Sequence, residues 1–174
     1  MLLLLLLIPG LLAVGCQPEE EFDEAALIKV DHYVKDITEA MIDTLPDLLG
    51  WVREPYSYNY PLRYDEERRQ WLEEHKNNLE AIRARHLTDD FPSEQLIAGW
   101  QIMLVRGDRE WLLDGPELVE ALAALEELYN DISKTIDLII IKNGELSQPE
   151  SDRVLELVEQ IEPEVEAVRL LLFR

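Results

Sequence analysis

Two runs near the C-terminus constrain the fold of this 174-residue chain more than anything else in it. Leu118, Leu122, Leu125, Tyr129, Ile132, Ile136 and Ile139 recur at steps of three and four. That period sets them along one stripe of an α-helix and along no single face of a strand. Lys142 and Gly144 are stop signals, and Ser147-Gln148-Pro149-Glu150 has the S-x-x-E form of a capping box. Val154, Val158, Ile161, Val165, Val168 and Leu172 then repeat the beat. Two helices of this length joined by four or five residues must fold back on each other, so the pattern predicts a C-terminal antiparallel helical hairpin. Pro163 lies inside its second arm and is expected to bend it.

The same periodicity continues upstream. Ala26, Val30, Tyr33, Ile37, Met41, Leu45 and Leu48 form one stripe, expected to stop near Gly50, with Pro46 in the last turn. A second helix is expected from about Asp65, where Asp65, Glu66 and Glu67 suit the positive end of the helix dipole. Its stripe runs Leu72, His75, Leu79, Ile82, His86. Ser93 can cap a shorter helix carrying Leu96, Ile97, Trp100 and Leu104, with Gly107 and Asp114-Gly115-Pro116 closing the section. No segment alternates with period two except the tyrosines near residue 58, and no internal repeat is present. The expected fold is all-α: a helical bundle of four main helices plus one shorter helix, occupying residues 25–174.

Charge narrows the function. With 37 acidic residues against 16 basic ones the chain carries −21, the opposite of the basic stripe that nucleic acid requires. One cysteine excludes an internal disulfide framework. That cysteine, Cys16, follows Leu or Ile at every position from 2 to 8, then Pro9-Gly10 and Leu11-Leu12-Ala13-Val14-Gly15. The apolar stretch is shorter than the roughly 20 residues of a spanning helix and has the layout of a secretion signal.

Leu12-Ala13-Val14-Gly15-Cys16 resembles the lipobox of bacterial lipoproteins, although the class favours Leu where Ala13 stands and a Lys or Arg between Met1 and the apolar run, where this chain has none. The resemblance covers only about the first 17 residues. It implies cleavage before Cys16, acylation (palmitate among the chains) at that residue, and a mature chain held to a membrane by lipid. Gln17, in place of the Asp that retains such proteins at the inner membrane, implies the periplasmic face of the outer membrane. Residues 1–15 are then the signal peptide and residues 16–24 an acidic tether.

Few residues suggest chemistry. His75 and His86 are eleven positions apart on one helix, about 16 Å along its axis, too far to share a metal ion. Neither follows a Glu at three residues, the spacing that carboxylate metal bundles use, so each reads as a core-edge histidine satisfied by a neighbour. His32, with Asp36 one turn on, reads as a surface pair. No serine sits in a nucleophile elbow and no glycine-rich phosphate loop exists. Arg106-Gly107-Asp108 spells an adhesion tripeptide, but reads as a coincidence at a helix end. The departure from background is the section 51–71, which holds Trp51, Tyr56, Tyr58, Tyr60, Tyr64 and Trp71 together with Arg53, Arg63, Arg68 and Arg69. Its rings either cap the bundle core or form a contact surface for sugar or peptide.

The expectation is therefore a non-enzymatic, lipid-anchored envelope protein. Trp51, Arg53, Tyr56, Tyr58, Tyr60, Arg63 and Tyr64 would meet an envelope protein or cell-wall partner, with no cofactor, no metal and no nucleic acid involved. The alternative is a bundle binding a small ligand or metal through His75 and His86.

Overall fold

An apolar side chain at every third or fourth position gives a helix one face that water disfavours, and four such helices can bury those faces against each other. A computed structural model, describing residues 24–53, 66–106 and 108–173, shows this arrangement. The long helices are α1 (Glu24–Arg53), α2 (Glu66–His86), α4 (Gly115–Ile141) and α5 (Gln148–Phe173), and α3 (Glu94–Ala98) is a single short turn-and-a-half. Helix α1 packs on α2 and α5, and α4 packs on α2 and α5, closing a ring. Every residue of the predicted α1 stripe is buried, and so is the stripe of α5. On α4 only Leu122 is less than fully covered.

Cross-helix pairs set the directions. Asp36 and Asp47 of α1 meet His86 and His75 of α2, so residue numbers rise along one as they fall along the other. Lys76 and Arg83 of α2 meet Asp137 and Glu126 of α4 in the same reversed order. Between α4 and α5 the Glu150 side chain reaches back to Ser147, the half of the capping box that satisfies the N-cap N–H. The backbone N–H of Ser147 donates to the Glu150 carboxylate at 2.8 Å, and its hydroxyl does so at 2.7 Å. Gly144, at φ 74°, donates its N–H to the Ile139 carbonyl at 2.9 Å, a left-handed exit that a side chain would resist.

Three expectations need correction. Helix α1 does not stop near Gly50 but runs past Pro46 to Arg53; Pro46 lacks the N–H that would bond the Ile42 carbonyl, and Ile42 is only partly buried. The fold is mainly helical rather than all-α, because Gln101–Arg106 (β1) and Arg109–Asp114 (β2) pair antiparallel in a two-stranded sheet. Trp100 and Leu104 thus lie beyond the third helix, which ends at Ala98, although Ser93 does cap it, its hydroxyl accepting from Leu96 N–H at 3.2 Å. The strands escaped the periodicity test because Ile102, Met103, Leu104 and Val105 are consecutively apolar and show no alternation. Asp114-Gly115-Pro116 opens α4 instead of closing a section: Asp114 caps it, accepting from Glu117 N–H at 3.2 Å.

The hairpin lies across one end of the bundle. Trp111 donates its indole N–H to the Leu171 carbonyl at the end of α5, at 2.9 Å. Leu113 is fully buried, and Ile102 and Leu104 pack against the core. The first turns of α1 and α4 and the last turns of α2 and α5 share this end, where Lys29 pairs with Asp90 and Tyr33 packs edge-on to Phe91.

Candidate functional site

The described part of the aromatic section sits at the opposite end, where α1 finishes and α2 begins. Trp51 is 8% exposed and closes the core there, its ring lying 5.5 Å from the Arg68 guanidinium. A cation that close to an indole face is attracted by the ring quadrupole. Trp71, one turn further along α2, is 43% exposed. Pro46, Asp47, Gly50, Trp51, Arg68 and Trp71 surround a pocket of about 120 Å³ floored by Leu72. Small-molecule sites usually enclose about 300–1,000 Å³. This pocket suits one side chain or one head group of a larger partner rather than a whole substrate.

On its far side Trp71 faces an open groove with Asp47, Glu74, His75 and Asn78. His75 is held there by Asp47, with Nε2 and Oδ2 2.6 Å apart. An ionised carboxylate only accepts, so Nε2 carries the proton and donates. Arg69 points elsewhere, pairing with Glu66 and with Glu73 at 3.2 Å on its own helix, and its guanidinium holds the Glu66 carboxyl below the usual carboxylate range.

Of the residues singled out in the sequence, Trp51 is brought into this site and Arg53 ends the helix beside it. Tyr56, Tyr58, Tyr60, Arg63 and Tyr64 lie outside the described residues, as does Cys16. His86 is far from His75 and has its own partner, Asp36, at 2.8 Å. Asp36 therefore reaches across to α2 rather than serving a pair with His32. Both histidines are satisfied by a carboxylate from α1, and among the described residues no group of three His, Cys, Asp or Glu side chains could hold a metal ion.

A polar network near the hairpin end was not foreseen. Arg83 lies 4.2 Å from the Tyr129 ring and pairs with Glu126, while Tyr33 packs 6.0 Å from the His86 ring. Burial first, and then the Glu126 charge, pushes the Tyr33 hydroxyl up to about 12. On the α4–α5 face burial likewise raises Glu164, with Glu127 and Asp131 adding to the shift. Asp36, Asp47 and Glu126 were invisible as partners because 37 acidic residues offer too many candidates on every helix. Arg106-Gly107-Asp108 is also displaced from its expected helix end, since Arg106 ends β1 and Arg109 opens β2.

No family model, no curated protein and no solved structure matches this chain. Among the described residues no helix is long and apolar enough to cross a membrane.

Proposed function

We propose that the protein is a non-enzymatic lipoprotein of the cell envelope, held by lipid on Cys16 at the periplasmic face of the outer membrane, whose helical bundle docks an envelope protein or cell-wall component. The observation that carries this reading is the position of the only cysteine, immediately behind a short apolar leader and the lipobox-like Leu12–Gly15. Two or three acyl chains anchor a protein stably where one does so only marginally. The four-helix, up-and-down arrangement adds a spatial argument. Helix α1 begins eight residues after Cys16 and runs for 30 residues, about 45 Å. An anchor at its start therefore leaves the end that carries Trp51, Arg68 and Trp71 turned away from the bilayer, toward the periplasm.

The contact would use Trp51, Arg53, Tyr56, Tyr58, Tyr60, Arg63 and Tyr64, with Trp71 as the exposed ring beside them. Aromatic and arginine side chains are those that carry most interface energy, and the 120 Å³ pocket under Trp71 matches a single anchoring side chain. Two measurements test the reading. Metabolic labelling with radioactive palmitate should mark the wild type and not Cys16→Ser. A photo-crosslinker in residues 56–60 should capture one predominant envelope partner, and Trp71→Ala should abolish the adduct while leaving helix content and unfolding temperature unchanged. Palmitate-free protein refutes the anchor, and an adduct indifferent to Trp71→Ala refutes the docking end.

A further inference from the structure

The outer face of the β1–β2 hairpin is unlike the rest of the described surface. Met103 pairs with Leu112 across the two strands, and Val105 follows two residues after Met103 on the same side. These three side chains are 58%, 51% and 64% exposed. Their neighbours on the other face, Ile102, Leu104, Trp111 and Leu113, are turned toward the bundle, so the hairpin carries apolar side chains on both sides, with Glu110 opposite Val105 and Gln101 opposite Asp114 as the polar members of the outer face. A fold that needed only a cap over its end would place polar residues at Met103, Val105 and Leu112 as well.

The position of this face says what covers it. Among the described residues eight large hydrophobic side chains are exposed, and six of them lie at this one end: Ile28, Leu87, Met103, Val105, Leu112 and Leu170. It is also the end from which the N-terminal segment leaves. Between Cys16 and the first residue of α1, Glu24, there are eight peptide steps, which span at most about 27 Å. A lipid on Cys16 thus keeps Glu24, at the hairpin's end of the bundle, within that reach of the bilayer.

We infer that the outer face of the β1–β2 hairpin, Met103, Val105 and Leu112, is a second membrane contact, laid on the same bilayer that holds the Cys16 lipid. This rests on the lipid-anchor reading above. A tether makes the contact intramolecular, so its effective concentration is about millimolar and a weak patch suffices. A second copy of the chain is a poorer occupant. Protein interfaces that hold without such help bury about 800 Å² and 20–30 residues on each partner, far beyond three side chains, and two chains of charge −21 repel each other. The contact is apolar in origin rather than electrostatic. Residues 101–114 carry two arginines against Asp108, Glu110 and Asp114, so anionic lipid weakens it.

The test uses the full chain, made in a bacterial host and reconstituted into phosphatidylcholine vesicles. Intact mass reports whether Cys16 is acylated; if it is, a cysteine introduced elsewhere is the only free thiol. An environment-sensitive dye is placed at Leu112→Cys, with Met103→Cys as a second probe and Ile141→Cys, 76% exposed at the opposite end of α4, as reference. The hairpin dyes should emit blue-shifted light and be quenched by spin-labelled lipid, and the dye at 141 should do neither. Replacing part of the phosphatidylcholine with phosphatidylglycerol should lessen the shift. Equal behaviour at the hairpin and at 141 overturns the contact even when the mass shows acyl chains. A hairpin dye that ignores spin-labelled lipid but responds to protein density in the vesicle assigns the face to a second copy, and overturns it too. Acyl-free Cys16 refutes the anchor, and with it the tethered contact that depends on it.

Discussion

Two glycines of this chain should answer the same substitution with opposite signs. Gly115 is the first residue of α4 and donates its N–H to the Trp100 carbonyl at 2.9 Å, joining the hairpin to α3. A Cβ there would fall inside the Ile97 carbonyl oxygen and 2.9 Å from both N and O of Trp100. All three are backbone atoms, with no flexible side chain to swing aside, so α3 or the hairpin must move. Overpacking usually costs about 1–3 kcal/mol, and a clash against backbone on both sides of a hydrogen bond belongs at the top of that range. Gly115→Ala should therefore lose about 3 kcal/mol, or about 6–12 °C in unfolding temperature for a chain of this size. Gly50 has nothing within 4 Å of its would-be Cβ and lies inside α1. There Ala relieves the entropy that Gly loses in a helix, and Gly50→Ala should gain about 0.5–1 kcal/mol. Circular dichroism at 222 nm against temperature reads both. An unfolding temperature for Gly115→Ala within 2 °C of the wild type, or a loss at Gly50→Ala as large as at Gly115, would refute the reasoning.

Three other outcomes follow from the packing and the charges. The Ser147 N–H and hydroxyl, with Lys142, hold the Glu150 carboxyl at about 2, so the stability it supplies is complete above the ordinary carboxylate pKa and is lost as pH falls toward 2. Glu150→Gln should therefore lower the unfolding temperature at pH 7 and close the gap to wild type near pH 2. Tyr33 titrates at about 12 because it is buried, so its stabilising effect is full below pH 10 and fades as pH rises from there through 12; Tyr33→Phe should flatten that decline in alkaline unfolding curves. Leu79, fully buried on α2, should cost about 2–5 kcal/mol on change to Ala, measured by urea denaturation with the slope unchanged.

Helices with one apolar stripe were readable because burial enforces the period. The stripe from Ala26 to Leu48 and that from Val154 to Leu172 are both buried throughout. The Ser147–Glu150 box was readable because both of its bonds are local in sequence. What escaped was non-local. Ile102 to Val105 show no alternation because the strand is apolar on both faces, and Leu104 continues the step of four from Trp100 as a helical residue would. Trp51 was marked by composition, yet its burial under Arg68 depends on where α2 starts relative to α1, which no local pattern encodes. The pairing of His75 with Asp47 is likewise separated by 28 residues and set only by helix register.

Register also decides what the α2–α4 face can do, and Arg83 is the residue to ask. A carboxylate metal bundle would put Glu three residues before His86, where this chain has Arg83. That arginine has two partners on α4: the Glu126 carboxylate and the Tyr129 ring, 4.2 Å away. With roughly a third of each charged side chain in water, the ion pair is worth about 0.5–1 kcal/mol and screens with salt. The ring contact adds about 0.5–1 kcal/mol, and the buried stem of the arginine adds packing that salt does not touch. Glu126→Gln should then cost about 0.5–1 kcal/mol in dilute buffer and nearly nothing in 1 M sodium chloride. Arg83→Ala, which removes both contacts and the stem, should cost about 1–2 kcal/mol and keep at least half of that in 1 M salt. Equal salt sensitivity of the two variants in urea denaturation would make the ion pair the whole of the interaction and leave Tyr129 a bystander. The unequal result places the cation in the core edge as a packing residue, filling the face where a metal bundle would need an empty, ligand-bearing one.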